Sequence, residues 1–129
     1  MKSMNIKDTY PIQYLELNKR DMKFSTIDEI VAYMEQKIES HPVAVHIATF
    51  DHYTHTKSLP EHDINEDIID AQIVVLCFGK ELPIPQMAAV RPRGIAIVEE
   101  KDKFTISFMD APNPQAHEAM IEWTLGAKK

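Results

Sequence analysis

The densest group of chemically capable side chains in this sequence is Phe50-Asp51-His52-Tyr53-Thr54-His55, followed by Glu61-His62-Asp63. Three imidazoles and three carboxylates fall within thirteen positions. Neutral imidazole ligates zinc, copper, nickel or iron, and carboxylates complete or orient such a shell. His52, His55 and His62 are therefore candidate ligands for a transition metal. The spacing matches no established metal signature, and solvated loop residues are the plainer reading. A second use of the stretch makes His52 a general base oriented by Asp51, although neighbours in an extended chain point apart.

Arg91-Pro92-Arg93 sets two guanidinium groups beside a proline in an acidic chain. They could clamp a carboxylate or phosphate, or simply pair with surface acids. Cys77 closes an apolar run, so it reads as a small buried hydrophobe before it reads as a nucleophile. His46, between Ala44 and Ala48, reads as a satisfied, partly buried histidine. Met87 reads as core or pocket lining. With only Gly79, Gly94 and Gly126, the chain has neither a phosphate-cradling loop nor a dinucleotide fingerprint, and it lacks the Gly-x-Ser-x-Gly of a serine hydrolase elbow.

These residues need a scaffold, and the hydrophobic pattern supplies one. Tyr10 to Asn18 suits a strand. Thr26 and Glu29 form a capping box ahead of Ile27, Ile30, Val31, Met34 and Ile38, which recur at helical spacing until His41-Pro42. Val43 to Phe50 reads as the second strand and Ile73 to Phe78 as a central one. Asp51 to Asp70 reads as a long loop with a short helical pattern over 64–71. Prolines 83, 85 and 92 forbid regular pairing after Gly79. Ile95 to Glu99 and Phe104 to Phe108 read as a hairpin, whose Thr105 and Ser107 mark a partly covered face. Asn113 as N-cap, Pro114 at the first position and Gly126 at the end frame a last helix. The expected fold is α+β: a mainly antiparallel sheet of about five strands in a single layer, with two helices packed on one face. Residues 1–9 are expected to be a flexible N-terminus and 10–129 one domain.

A chain of 129 residues typically buries roughly two-thirds of its extended surface, so it needs no disulfide or structural metal. Its single cysteine fits a reducing compartment. A net charge of −6, from 14 basic against 20 acidic residues scattered along the chain, argues against nucleic acid and acidic membranes as partners. The longest strongly apolar run, Ile73 to Phe78, is far short of the roughly 20 residues that span a bilayer. A cytoplasmic protein is the expectation.

Phe50-Asp51-His52, the segment Ile73 to Lys80, Gln86-Met87, Gly94 to Glu100 and Phe104 to Pro112 together resemble domain-of-unknown-function family 302. On that resemblance His52 falls on the family's histidine, Phe78-Gly79 on its Phe-Gly and Met87 on its methionine. Lys80-Glu81 stands where the family has Asn-Pro, and Pro83-Ile84-Pro85 replaces a Gly-containing segment. The resemblance implies a compact α+β fold, often dimeric, with no established activity.

Taken together, the expected function is binding of a small molecule, an anion or a metal near the end of the second strand. Asp51, His52, Cys77, Gly79, Met87 and Arg91 are the expected binding residues, and a homodimer is the expected assembly. An enzyme with a histidine-centred or metal site and a purely structural interaction domain are the alternatives.

Overall fold

The computed structural model describes residues 1–129 as one open sheet with its two long helices against one side. Six strands, β1 (Lys2–Ile6), β2 (Tyr10–Asn18), β3 (Val45–Asp51), β4 (Ile68–Cys77), β5 (Arg93–Glu100) and β6 (Lys103–Met109), line up in the order β1-β2-β6-β5-β4-β3. Every neighbouring pair is antiparallel. The helices are α1 (Ile27–Glu39), α2 (His52–Ser58) and α3 (Pro114–Leu125), with 3-10 turns at Lys19–Asp21 and Pro85–Val90.

The α+β class stands, but the expected five strands and two helices are too few. The extra strand is Lys2–Ile6, joined to β2 by a tight turn in which Lys7 and Asp8 both take positive φ, 53° and 57°. The extra α-helix is α2. It lies inside the stretch read as a loop, whereas the helical pattern over 64–71 corresponds to the start of β4. Asp51 begins α2, its carboxylate accepting from the Thr54 amide at 3.0 Å and the Thr54 hydroxyl at 2.9 Å.

The other helices follow their sequence signals. Thr26 caps α1 by accepting from the Glu29 amide at 3.2 Å; the Glu29 carboxylate accepts from the Thr26 hydroxyl at 3.1 Å rather than from a backbone amide. Asn113 caps α3 through its side-chain oxygen, and Pro114 follows directly. Ile27, Ile30, Met34 and Ile38 of α1 and Ala116, Met120 and Trp123 of α3 are buried. They share one core with Val74, Leu76, Ile95, Ile97, Phe104, Ile106 and Phe108. By the strand registers these sheet residues all lie on one face. Each large apolar side chain so buried contributes about 1.5–3 kcal/mol.

The opposite face carries no helix layer of this kind. Ile12, Tyr14, Ile73, Ala96, Val98, Thr105 and Ser107 occupy it, each only partly buried. This is the partly covered face that the alternation in β6 announces. No helix is long and apolar enough to cross a membrane.

Tyr33 ties α1 to the end of α3 by donating its hydroxyl to the Trp123 carbonyl at 2.6 Å. Burial, and secondarily the charge of Glu122, raise its pKa. The folded state therefore holds this proton more tightly than the unfolded state. The stability it contributes is full below the ordinary tyrosine value of about 10 and is lost as pH rises through the raised value. Thermal unfolding followed from neutral to strongly alkaline pH should show a steeper fall in Tm for the native protein than for Tyr33→Phe. Parallel curves would remove Tyr33 as the cause.

Candidate functional site

The end of the sheet where β4 finishes and β5 begins carries a concave surface with convergent polar groups. A cavity of about 250 Å³ is bounded by Phe78, Met87, Arg91, Arg93, Pro112 and Ala116, among others. A second lobe of similar size adjoins it through Phe78, Glu81, Arg91 and Asn113, and adds His41, Lys80 and Gln115. The loop after Gly79 and the 3-10 turn Pro85–Val90 form one wall. The N-terminus of α3 forms the other.

Arg91, Arg93 and His41 are held here by backbone groups. Arg93, near the start of β5, donates one Nη to the Met109 and Asp110 carbonyls at 2.8 and 2.7 Å. Burial lowers its pKa, opposed by the charge of Asp110; a guanidinium remains protonated through any such shift. Arg91 donates Nη1 to the Glu81 carbonyl at 2.5 Å, which ties it to the loop it faces. Its peptide bond to Pro92 is cis. Five donors per guanidinium leave most of each fork free of these carbonyls.

His41 accepts the Val43 and Ala44 amides at Nδ1, both at 3.1 Å, so its ring proton sits on Nε2. Its ring stands edge-on to Phe78 and Trp123, with centroids 5.3 and 5.9 Å away, while Phe78 and Trp123 stack at 5.7 Å. This aromatic trio supports the cleft from beneath. Arg91, Arg93, Lys80, His41 and the amides of Asn113 and Gln115 all offer donors, against the single carboxylate of Glu81. The positive end of the α3 dipole adds to that balance. The arrangement suits an anion with an apolar body.

The residues picked out in sequence divide between two ends of the sheet. Met87 and Arg91 line the cleft. Gly79 and Cys77 sit behind Arg91: the Gly79 amide donates to Cys77 Sγ at 3.2 Å, and a Cβ on Gly79 would lie 2.9 Å from that sulfur and 3.6 Å from Arg91 Nη1. Asp51 and His52 are elsewhere. Cys77 pairs with Val45 at one end of β3 and Gln72 with Asp51 at the other, a separation of about 17 Å along the strand. A single site containing both Asp51-His52 and Cys77-Arg91 does not form, because β3 and β4 are antiparallel and carry them in opposite directions.

His52, His55 and His62 do not converge either. No group of three or more His, Cys, Asp or Glu is gathered in a way that could hold a metal ion. His52 and His55 pack against Phe50, each with centroids 5.5 Å apart. His52 Nδ1 is 2.9 Å from the Thr56 hydroxyl, and His62 Nδ1 is 2.8 Å from the Leu59 carbonyl. The capping bond from the Thr54 amide is the main reason that the Asp51 pKa is lowered. His46 has the satisfied environment expected of it, 3.0 Å from the Thr49 hydroxyl and 3.2 Å from Glu35. Among the polar cleft residues without an expected binding role are His41, Lys80, Glu81, Asn113 and Gln115. Their only sequence signals were a helix stop at His41-Pro42 and a helix cap at Asn113-Pro114.

The model of the family of unknown function DUF6858 matches residues 1–129. The chain belongs to that family. This overturns the resemblance to domain-of-unknown-function family 302, whose Phe-Gly and methionine positions were matched by short segments alone. Nothing among the curated proteins or the solved structures matches this DUF6858 chain.

Proposed function

We propose that this DUF6858 domain is a cytoplasmic binding module for a small organic anion, a carboxylate or phosphate monoester carrying an apolar group. The observation that carries the reading is the pairing of two backbone-anchored arginines with an apolar floor of Phe78, Met87 and Ala116. Charged hydrogen bonds from a pre-held guanidinium are worth about 1.5–3 kcal/mol each, and the α3 N-terminus faces the same space. A pocket with an apolar lining and a few fixed donors is the usual form of a small-ligand site. The free thiol of Cys77 supports the cytoplasmic placement.

The test is a thermal-shift and calorimetric titration with acetate, benzoate, inorganic phosphate and phenyl phosphate. Benzoate or phenyl phosphate should raise Tm more than acetate or inorganic phosphate, because only the former occupy both parts of the cleft. Arg91→Met should weaken the binding about tenfold or more, whereas Lys2→Ala, on the edge strand β1, should leave it unchanged. If no anion binds, or if Arg91→Met binds as the native protein does, the reading fails.

A further inference from the structure

We infer that the uncovered face of the sheet is a homodimer interface, with a second copy of the chain laid against it face to face. The central part of this face, from Ile12 and Tyr14 on β2 across Ser107 and Ala96 to Ile73 on β4, carries no ionised side chain of its own, and Arg93 is the one charged residue bordering the hollow there. Large apolar side chains continue to its margins, where Met4 is 48 % exposed and Met109 47 %, while Phe50 at the β3 edge packs under His52 and His55. Six strands about 4.8 Å apart and about seven residues long make a face on the order of 700 Å². A stable interface takes roughly 800 Å² from each partner.

The charges at the margin select a copy of the same chain. Lys103 on β6 lies between Glu16 on β2, at 3.2 Å, and Glu100 on β5, at 3.9 Å, all at one end of the open face. The midline of the six-stranded order runs between β6 and β5. A two-fold axis along that midline exchanges β6 with β5, so that Lys103 of each copy stands opposite Glu100 of its partner. The ionic row complements itself, and it forms the polar rim that interfaces keep around an apolar centre. Aligned packing of two such sheets, about 10 Å apart, is an ordinary arrangement.

Arg93 borders both the cleft and the hollow on this face, so self-association is read by mass and anion binding by the rise in Tm, on variants that leave Arg93 unchanged. Sedimentation equilibrium of the full chain should give twice its 14.8 kDa mass. Ala96→Glu and, separately, Ser107→Lys place a charge at the centre of the face without touching the core, and each should give a monomer with an unchanged far-UV circular dichroism spectrum. Lys103→Glu should weaken association about tenfold, because two like-charge contacts arise per dimer, and Lys103→Glu with Glu100→Lys should restore it. A native chain that is monomeric throughout overturns the inference. A dimer that survives both central charges overturns it too, since association then uses another surface.

Discussion

Alanine in place of Trp123 is expected to lower stability by about 3–5 kcal/mol, the usual range for deleting a buried aromatic ring. Trp123 is 7 % exposed, stacks on Phe78 and meets His41 edge-on. Against a total of about 5–15 kcal/mol for a domain, this brings the native state near its limit. The effect reaches the cleft because Phe78 and His41 line it and Trp123 is the surface both rest on. Trp123→Phe refills most of the volume and should recover much of the loss. As Trp123 is the sole tryptophan, the measurement is urea unfolding followed by circular dichroism, with the benzoate-induced rise in Tm as the second readout. A loss below about 1 kcal/mol would mean that the trio does not hold the cleft wall.

The parts of the fold that a sequence displays are those whose signal is local. The stripe from Ile27 to Ile38, the Asn113-Pro114 cap and the β5–β6 hairpin each declare themselves within a few residues, and each is present. Strand β1 escapes because its turn uses Lys7 and Asp8 in left-handed conformations, where glycine or asparagine is the usual marker. Helix α2 escapes because His52-Tyr53-Thr54-His55-Thr56 is poor in helix formers and depends on Asp51 as its cap. In β4, Ile68, Ile69 and Ala71 fit a helical spacing as well as a strand, and a register shift between Ile68 and Asp70 blurs the alternation further.

The cleft was legible only in fragments. Arg91-Pro92-Arg93 announces concentrated positive charge, and Met87 announces a pocket lining. Their partners arrive from the α1–β3 connection, at His41, and from the start of α3, at Asn113, which no spacing rule relates to residue 91. The richest cluster by composition, residues 51–63, proved a weak guide. One of its carboxylates and two of its imidazoles make short-range hydrogen bonds around α2: Asp51 to Thr54, His52 to Thr56, His62 to Leu59. Density of ligand-type residues in sequence says nothing of convergence when the segment coils on itself.

Gly126 shows the same difference between position and cause. A glycine after a helix suggests left-handed backbone, yet Gly126 has φ −67° and ψ −15°, which alanine adopts readily. Backbone entropy alone would make Gly126→Ala stabilising by about 0.4–1 kcal/mol. Space reverses the sign. An added Cβ would overlap the Tyr33 hydroxyl, with the Glu122 and Trp123 carbonyl oxygens at 3.3 and 3.4 Å. The carbonyls can yield by a few tenths of an ångström, but the hydroxyl is held by its bond to the Trp123 carbonyl and by a ring packed 5.0 Å from Phe24. Gly126→Ala should therefore cost about 1–3 kcal/mol. Tyr33→Phe removes the overlapping oxygen together with a hydrogen bond worth about 1 kcal/mol. In a double-mutant cycle by urea unfolding, Gly126→Ala should cost at least about 1 kcal/mol less in the Tyr33→Phe background than in the native one. Additive costs would show that the helix carbonyls, and not the tyrosine, require glycine at this position.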